Sequence, residues 1–187
     1  MISINNKKIF TVRDIYQLPD HIRAELFHGR IRYMPMTTTS HQEILMQIFT
    51  QIYDQMKQFY PSYELYPGRF AVFIKEDELN YVEPDISVIC NTDKLNDYGC
   101  LGAPDWIIEI VLPEDRSIDY FQKLFLYHSA GVREYWIVDY EKLRVIVYDF
   151  EHEKQLEYNF EDLVPSACVC PDISVNFADI DYYSKNT

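Results

Sequence analysis

The sequence predicts an α/β (α+β) protein in which a mixed β-sheet is flanked by helices. Three observations carry that prediction. Residues 44–59 repeat apolar side chains at helical spacing. The stretches YVEPDISVIC and DWIIEIVL are short, rich in β-branched and aromatic residues, and bounded by polar turns. Residues 117–130 return to helical spacing between two strand-like runs, as in a right-handed crossover between parallel strands. At 187 residues the chain is large enough to bury a core without staples, and residues 1–187 read as a single domain.

In chain order, TVRDIYQL (residues 11–18) reads as a short helix ended by Pro19. RAELF and RIRYM flank His28-Gly29, a tight hairpin turn. The strongest helix follows. Ser40 and Glu43 have capping-box spacing. Behind them Ile44, Leu45, Ile48, Phe49, Ile52, Tyr53, Met56 and Phe59 form an apolar stripe, with Gln47, Gln51, Asp54 and Gln55 opposite and Pro61 as the stop. RFAVFI, YVEPDISVIC and DWIIEIVL then read as strands. The helix over 117–130 is expected to set Phe121, Leu124, Phe125 and His128 on one side and to end at Gly131 in the left-handed conformation. EYWIVDY and RVIVYDF are strands joined by a charged turn at Glu141 and Lys142, and ISVNF adds a late strand.

Composition bounds the function. Thirty acidic residues against seventeen basic ones leave −13, with a pI near 4.7. A broad basic footprint for nucleic acid is therefore excluded, and any such binding must rely on local cations and bound metal. No apolar run approaches the roughly 18 residues of a membrane span. MISINNKKIF lacks the apolar core and small-residue cleavage site of a secretory signal. Cys90, Cys100, Cys168 and Cys170 contain no Cys-x-x-Cys frame, so reduced thiols in a cytoplasmic protein are expected. Sixteen Tyr and eleven Phe are more than one small core readily hides, which points to a partner surface.

Candidate chemistry lies in the strands. Trp106 to Leu112 is apolar on both sides, so it should be central, and Glu109 stands in its middle. A carboxylate there needs a cation, a donor or a metal; a purely structural partner is one option. Asp85 follows Pro84 at the head of another apolar run, a strand start, bulge or edge position, or simply a turn aspartate. Two carboxylates on neighbouring strands can share Mg²⁺ or Mn²⁺. Lys123, on the next helix, can reach back to orient or help deprotonate water and to stabilise a pentavalent phosphate. Alternatively it forms an ordinary surface pair with Asp119 four residues earlier. Glu83 is a further ligand or a solvated carboxylate, His41 lines the cleft or is exposed, and Glu25 flanks the hairpin turn.

AELFHGRI, TTTSHQEI, VEPDISVIC, GCLGAPDWIIEIVLPEDRS and KLFLYHSAGVREYWIVDYEKLRVIVY occur in an order and spacing that resemble the Uma2 family of restriction-endonuclease-like proteins, over residues 24–150. The resemblance implies the PD-(D/E)xK nuclease fold and metal-dependent endonuclease action on DNA and, together with the aromatic content, a homodimer. Asp85 matches the motif aspartate and Glu109 the motif glutamate. Val111 stands where the motif lysine usually does, and Lys123 takes that place from the following helix. Glu25 and His41 match recurring polar positions with auxiliary roles. The expected metal ligands are Asp85, Glu109 and the main-chain carbonyl of Ile110. Where the family often has Ser-Pro-Ser/Thr, this chain has Leu112-Pro113-Glu114-Asp115. That change adds two acids beside the site, leaving a catalytically weak or inactive nucleic-acid- or protein-binding module as the second reading.

Overall fold

From Trp106 to Ile110 every residue is buried, as in a strand covered on both faces. The computed structural model describes residues 8–75 and 77–183. The chain runs through α1 (Val12–Tyr16), β1 (Ala24–Phe27), β2 (Arg30–Tyr33), α2 (Thr39–Phe59), β3 (Glu64–Pro67), β4 (Val72–Phe73) and β5 (Ile86–Ile89). It continues through β6 (Leu95–Asn96), β7 (Gly99–Leu101) and β8 (Trp106–Ile110). A π-helical segment (Ile118–Lys123) then leads directly into α3 (Leu124–Ala130). Last come β9 (Glu134–Asp139), β10 (Arg144–Asp149), β11 (Lys154–Asn159), β12 (Leu163–Pro165) and β13 (Ser174–Asn176).

A six-stranded mixed sheet, ordered β11-β10-β9-β8-β5-β3, forms the centre. β8 and β9 are parallel and joined through the π segment and α3, the expected crossover; the other neighbours are antiparallel. Period-two alternation sorts the side chains of β8. Trp106, Ile108 and Ile110 join the core beneath α2 and the C-terminal segment. Ile107 and Val111 join the core beneath α3, and Glu109 shares their parity.

The long helix buries Ile44, Leu45, Ile48, Ile52 and Met56 as its spacing predicts, whereas Tyr53 and Phe59 face solvent. Its cap differs from the expectation. Thr38, not Ser40, receives the His41 amide (3.1 Å), and Glu43 instead accepts from the Tyr183 amide (2.6 Å). Four successive hydroxyl residues, 37–40, can each cap, so composition does not select among them. The sharper correction concerns residues 117–130. Phe121 and Phe125 are 72% and 67% exposed, while Asp119, Lys123, Leu126 and Tyr127 are buried. The expected inner face is turned outward because the wider π turns shift the phase of the helix. Residues 119, 123 and 127, spaced by four, are thereby set against the sheet.

RFAVFI contributes only β4, in a small sheet ordered β4-β7-β6, because β3 takes the place beside β5. Gly99 makes that small sheet possible: its φ is 142°, and a Cβ there would collide with the Ala71 carbonyl oxygen. The turn residues His28 and Gly29 both have positive φ (50° and 75°), the conformation of a tight two-residue hairpin. At the far end of the sheet Glu134 is fully buried. It accepts from Trp136 Nε1 (2.7 Å), Ser166 Oγ (2.8 Å) and the amides of Ala167, Cys168 and Val169 (2.8–3.1 Å), fastening the C-terminal segment to β9. No helix among the described residues is long and apolar enough to cross a membrane.

Candidate active site

β5 and β8 pair with Ile86 opposite Ile108. Continuing that antiparallel register by one residue sets Asp85 opposite Glu109, side chains on one face. Asp85 precedes β5 directly, so Pro84 marks a strand start. From this end of the sheet the Asp85 carboxylate reaches past the last rung. Its Oδ2 accepts from the Ile110 amide (2.8 Å) and lies 3.1 Å from His41 Nε2, in the first turn of α2. Burial opposes ionisation of Asp85, but His41 and the Ile110 amide outweigh it, so its pKa falls below the usual carboxylate value. The pairing acts in return on His41. Burial pulls the imidazole down, and Asp85 more than compensates, leaving its pKa raised. His41 is 2% exposed and therefore lies inside rather than on the surface; its Nδ1 has no hydrogen-bond partner among the described residues.

Glu109 sits across the pair in drier surroundings. Its Oε1 accepts from Lys123 Nζ (2.9 Å) and Tyr127 Oη (2.6 Å). Desolvation raises its pKa well above the ordinary value despite the Lys123 charge. Lys123 is not the surface ion pair that its spacing from Asp119 allows. Buried to 3% exposure, it lies among three carboxylates: Glu109, Glu25 (3.2 Å) and Asp119 (3.5 Å). Burial works against its charge, the carboxylates overcome that, and its pKa ends well above 10.5. The surrounding carboxylates thus favour its ammonium form. Asp119 is pushed up to about 7, chiefly by burial. One ammonium cannot balance three carboxylates in a dry site.

The structure thus brings Asp85, Glu109, Lys123, Glu25 and His41 into one connected cluster. Glu25, fully buried, also holds Arg32 (3.3 Å) and the Glu83 amide (3.3 Å). Glu83 stands outside it, held by Arg23 (2.8 Å) and Tyr81 Oη (2.8 Å). Of Ile110, the amide contacts Asp85. Sequence reasoning missed Tyr127 and Arg32. Tyr127 was legible as the third member of the 119-123-127 stripe, whereas Arg32 carries no local signal. Asp115, one of the two acids in place of a hydroxyl, pairs with Arg32 and so draws that guanidinium away from any incoming anion.

Among the described residues, no three His, Cys, Asp or Glu side chains form a ready metal cage. The donors nevertheless suit a hard cation. The hydrogen bonds on Asp85 fall on Oδ2 and those on Glu109 on Oε1, leaving an oxygen of each carboxylate outside these bonds. Mg²⁺ is commonly held by one or two carboxylates, with water supplying the remaining oxygens.

Comparison with known proteins identifies the family and the fold. A family model, Uma2, described as "Putative restriction endonuclease", matches residues 12–178. The crystal structure of a "putative nuclease belonging to DUF820" from Anabaena variabilis ATCC 29413 superposes with a TM-score of 0.74 at 20% identity, covering 91% of this chain and 97% of that one. At that identity the likeness establishes the fold. No curated protein matches the sequence significantly.

Proposed function

The chain belongs to the Uma2 family, and on that premise we propose that it is a metal-dependent endonuclease hydrolysing phosphodiester bonds of DNA. One observation carries the reading: a pinned carboxylate, Asp85, and a buried one, Glu109, meet at the end of the sheet beside a locked ammonium. A structural domain has no physical need for four buried ionisable groups at that point (Glu25, Glu109, Asp119 and Lys123), since apolar residues of similar volume would be as stable or more so.

The residues divide the work. The Ile110 amide and His41 hold Asp85 ionised and fixed in rotation. Tyr127 and Lys123 grip one oxygen of Glu109 and leave the other outside these bonds. Asp85, Glu109 and the Ile110 carbonyl would hold Mg²⁺ or Mn²⁺, which when bound would supply Lewis acidity for the phosphate and acidify water. Lys123 adds positive charge where the pentavalent phosphate becomes more negative. Glu25 and Asp119 hold that ammonium in place.

The test is Mg²⁺- or Mn²⁺-dependent nicking of supercoiled plasmid, paired with Mn²⁺ binding followed by electron paramagnetic resonance. Wild type should nick and bind, and Asp85→Asn and Glu109→Gln should lose both while melting cooperatively. A wild type inert towards single-stranded and duplex DNA with every divalent metal sinks the catalytic claim. The second reading, a binding module without hydrolysis, is favoured by the net charge of −13 and by the Asp115–Arg32 pair. It takes over if DNA is retained in EDTA and never cut.

A further inference from the structure

The outward turn of Phe121 and Phe125 gives the molecule an unusual surface. With the β1–β2 hairpin these rings enclose a groove of about 860 Å³. Its charged lining is Arg30 and Arg32, with His28 at the hairpin turn, and no Asp or Glu contributes. On a chain with thirty acids and seventeen bases, this groove is locally basic. Arg32 is engaged by Glu25 and Asp115, but Arg30 is exposed and has no ion-pair partner among the described residues. The same two rings also line a second groove, of about 420 Å³, on the other side of the helix. They therefore form a ridge, and neither ring stacks on another aromatic among the described residues.

This ridge lies on the outer side of the segment whose inner side carries Lys123, and Arg32 links its groove to Glu25 in the charged cluster. Resting on the nuclease reading, we propose that the ridge binds an unpaired DNA strand. Bases stack on Phe121 and Phe125, and phosphates face Arg30. An exposed phenyl ring gains from a base only if the base offers its face, and inside a duplex those faces are covered by neighbouring pairs. Arg30, set in an otherwise acidic surface, supplies the complementary charge for the backbone. The substrate class is thus single-stranded or locally melted DNA, presented to the Asp85–Glu109 centre.

Fluorescence anisotropy with labelled oligothymidylate and with a duplex of equal length, both in Ca²⁺, tests this. The single strand should bind more tightly than the duplex. Phe121→Ala and Phe125→Ala should each weaken it by about 5- to 160-fold, the range expected for one lost base stack. Phe125→Leu, which keeps apolar bulk without a ring, should weaken it similarly, and thermal melts should show all three variants folded. Arg30→Ala should reduce the salt slope by roughly 0.7, one phosphate contact. Equal affinity for the two forms, or unchanged binding in the phenylalanine variants, overturns the proposal. So does sedimentation showing that Phe121→Ala splits a homodimer while DNA binding persists. Strand binding without any cleavage supports the ridge and removes the nuclease reading. Cleavage of duplex unaffected by the phenylalanine variants does the reverse.

Discussion

Lys123→Met isolates the physics of the charged cluster. Methionine preserves much of the side-chain length and removes the one ammonium that faces Glu25, Glu109 and Asp119. Removing one member of a buried ion pair costs about 3–5 kcal/mol, because the abandoned charge stays desolvated. For a chain of this size, that corresponds to a melting point lower by about 6–20 °C. The penalty should depend on pH in a defined sense. In the wild type the Lys123 contribution is fully present below about 10.5, its ordinary pKa, and is lost only where the raised pKa is exceeded. In the variant the carboxylates can be accommodated only by binding protons, so the native form is favoured by acid. The deficit should therefore be large near about pH 8 and shrink towards about pH 5. Calorimetry at both values measures it, and adding Glu109→Gln to Lys123→Met should recover part of the loss. A variant that melts within a degree or two of wild type at alkaline pH would falsify the idea that this lysine is an enclosed counter-charge.

Asp119 offers the complementary case. Its pKa is raised from 3.8 to about 7, so its stabilising contribution is complete below about pH 4 and disappears as pH rises through about 7. Asp119→Asn should flatten that part of the stability profile by up to about 4 kcal/mol, and parallel wild-type and variant melting curves would contradict the assignment. His41→Gln removes the imidazole beside Asp85 Oδ2. Metal-dependent nicking should fall by about 10- to 100-fold, and an unchanged rate would show that Asp85 needs no such support. Glu134→Gln replaces an acceptor-only carboxylate that serves five donors. Stability should fall by about 2–4 kcal/mol, and residues 166–183 should become sensitive to protease; a resistant, equally stable variant would count against the clamp.

Much of the molecule was legible in local pattern. Spacing located α2, β8, β9, β10 and β13, and the apolar residues on both sides of Trp106–Ile110 marked β8 as a central strand. Glu109 announced itself because a charge in an apolar strand demands a partner. Other elements gave no such signal. β3, β6, β7 and β11 are short or exposed, with little alternation to separate them from loop. Glu134 reads as an ordinary strand-end residue, since the amides it collects come from residues 167–169, far along the chain.

The amino-acid order alone determined which groups are chemically unusual: a proline-led aspartate, a glutamate amid isoleucines, a lysine on the helix that follows. Tertiary structure decided which of them meet and in what state. The register of β5 against β8 sets Asp85 across from Glu109, and the π segment turns Lys123 inward and Phe121 and Phe125 outward. Helical period cannot foresee that rotation, because the phase of a helix depends on which turns widen. The widening here accompanies the docking of Asp119, Lys123 and Tyr127 beneath the sheet, an energy that arises only once distant segments have come together.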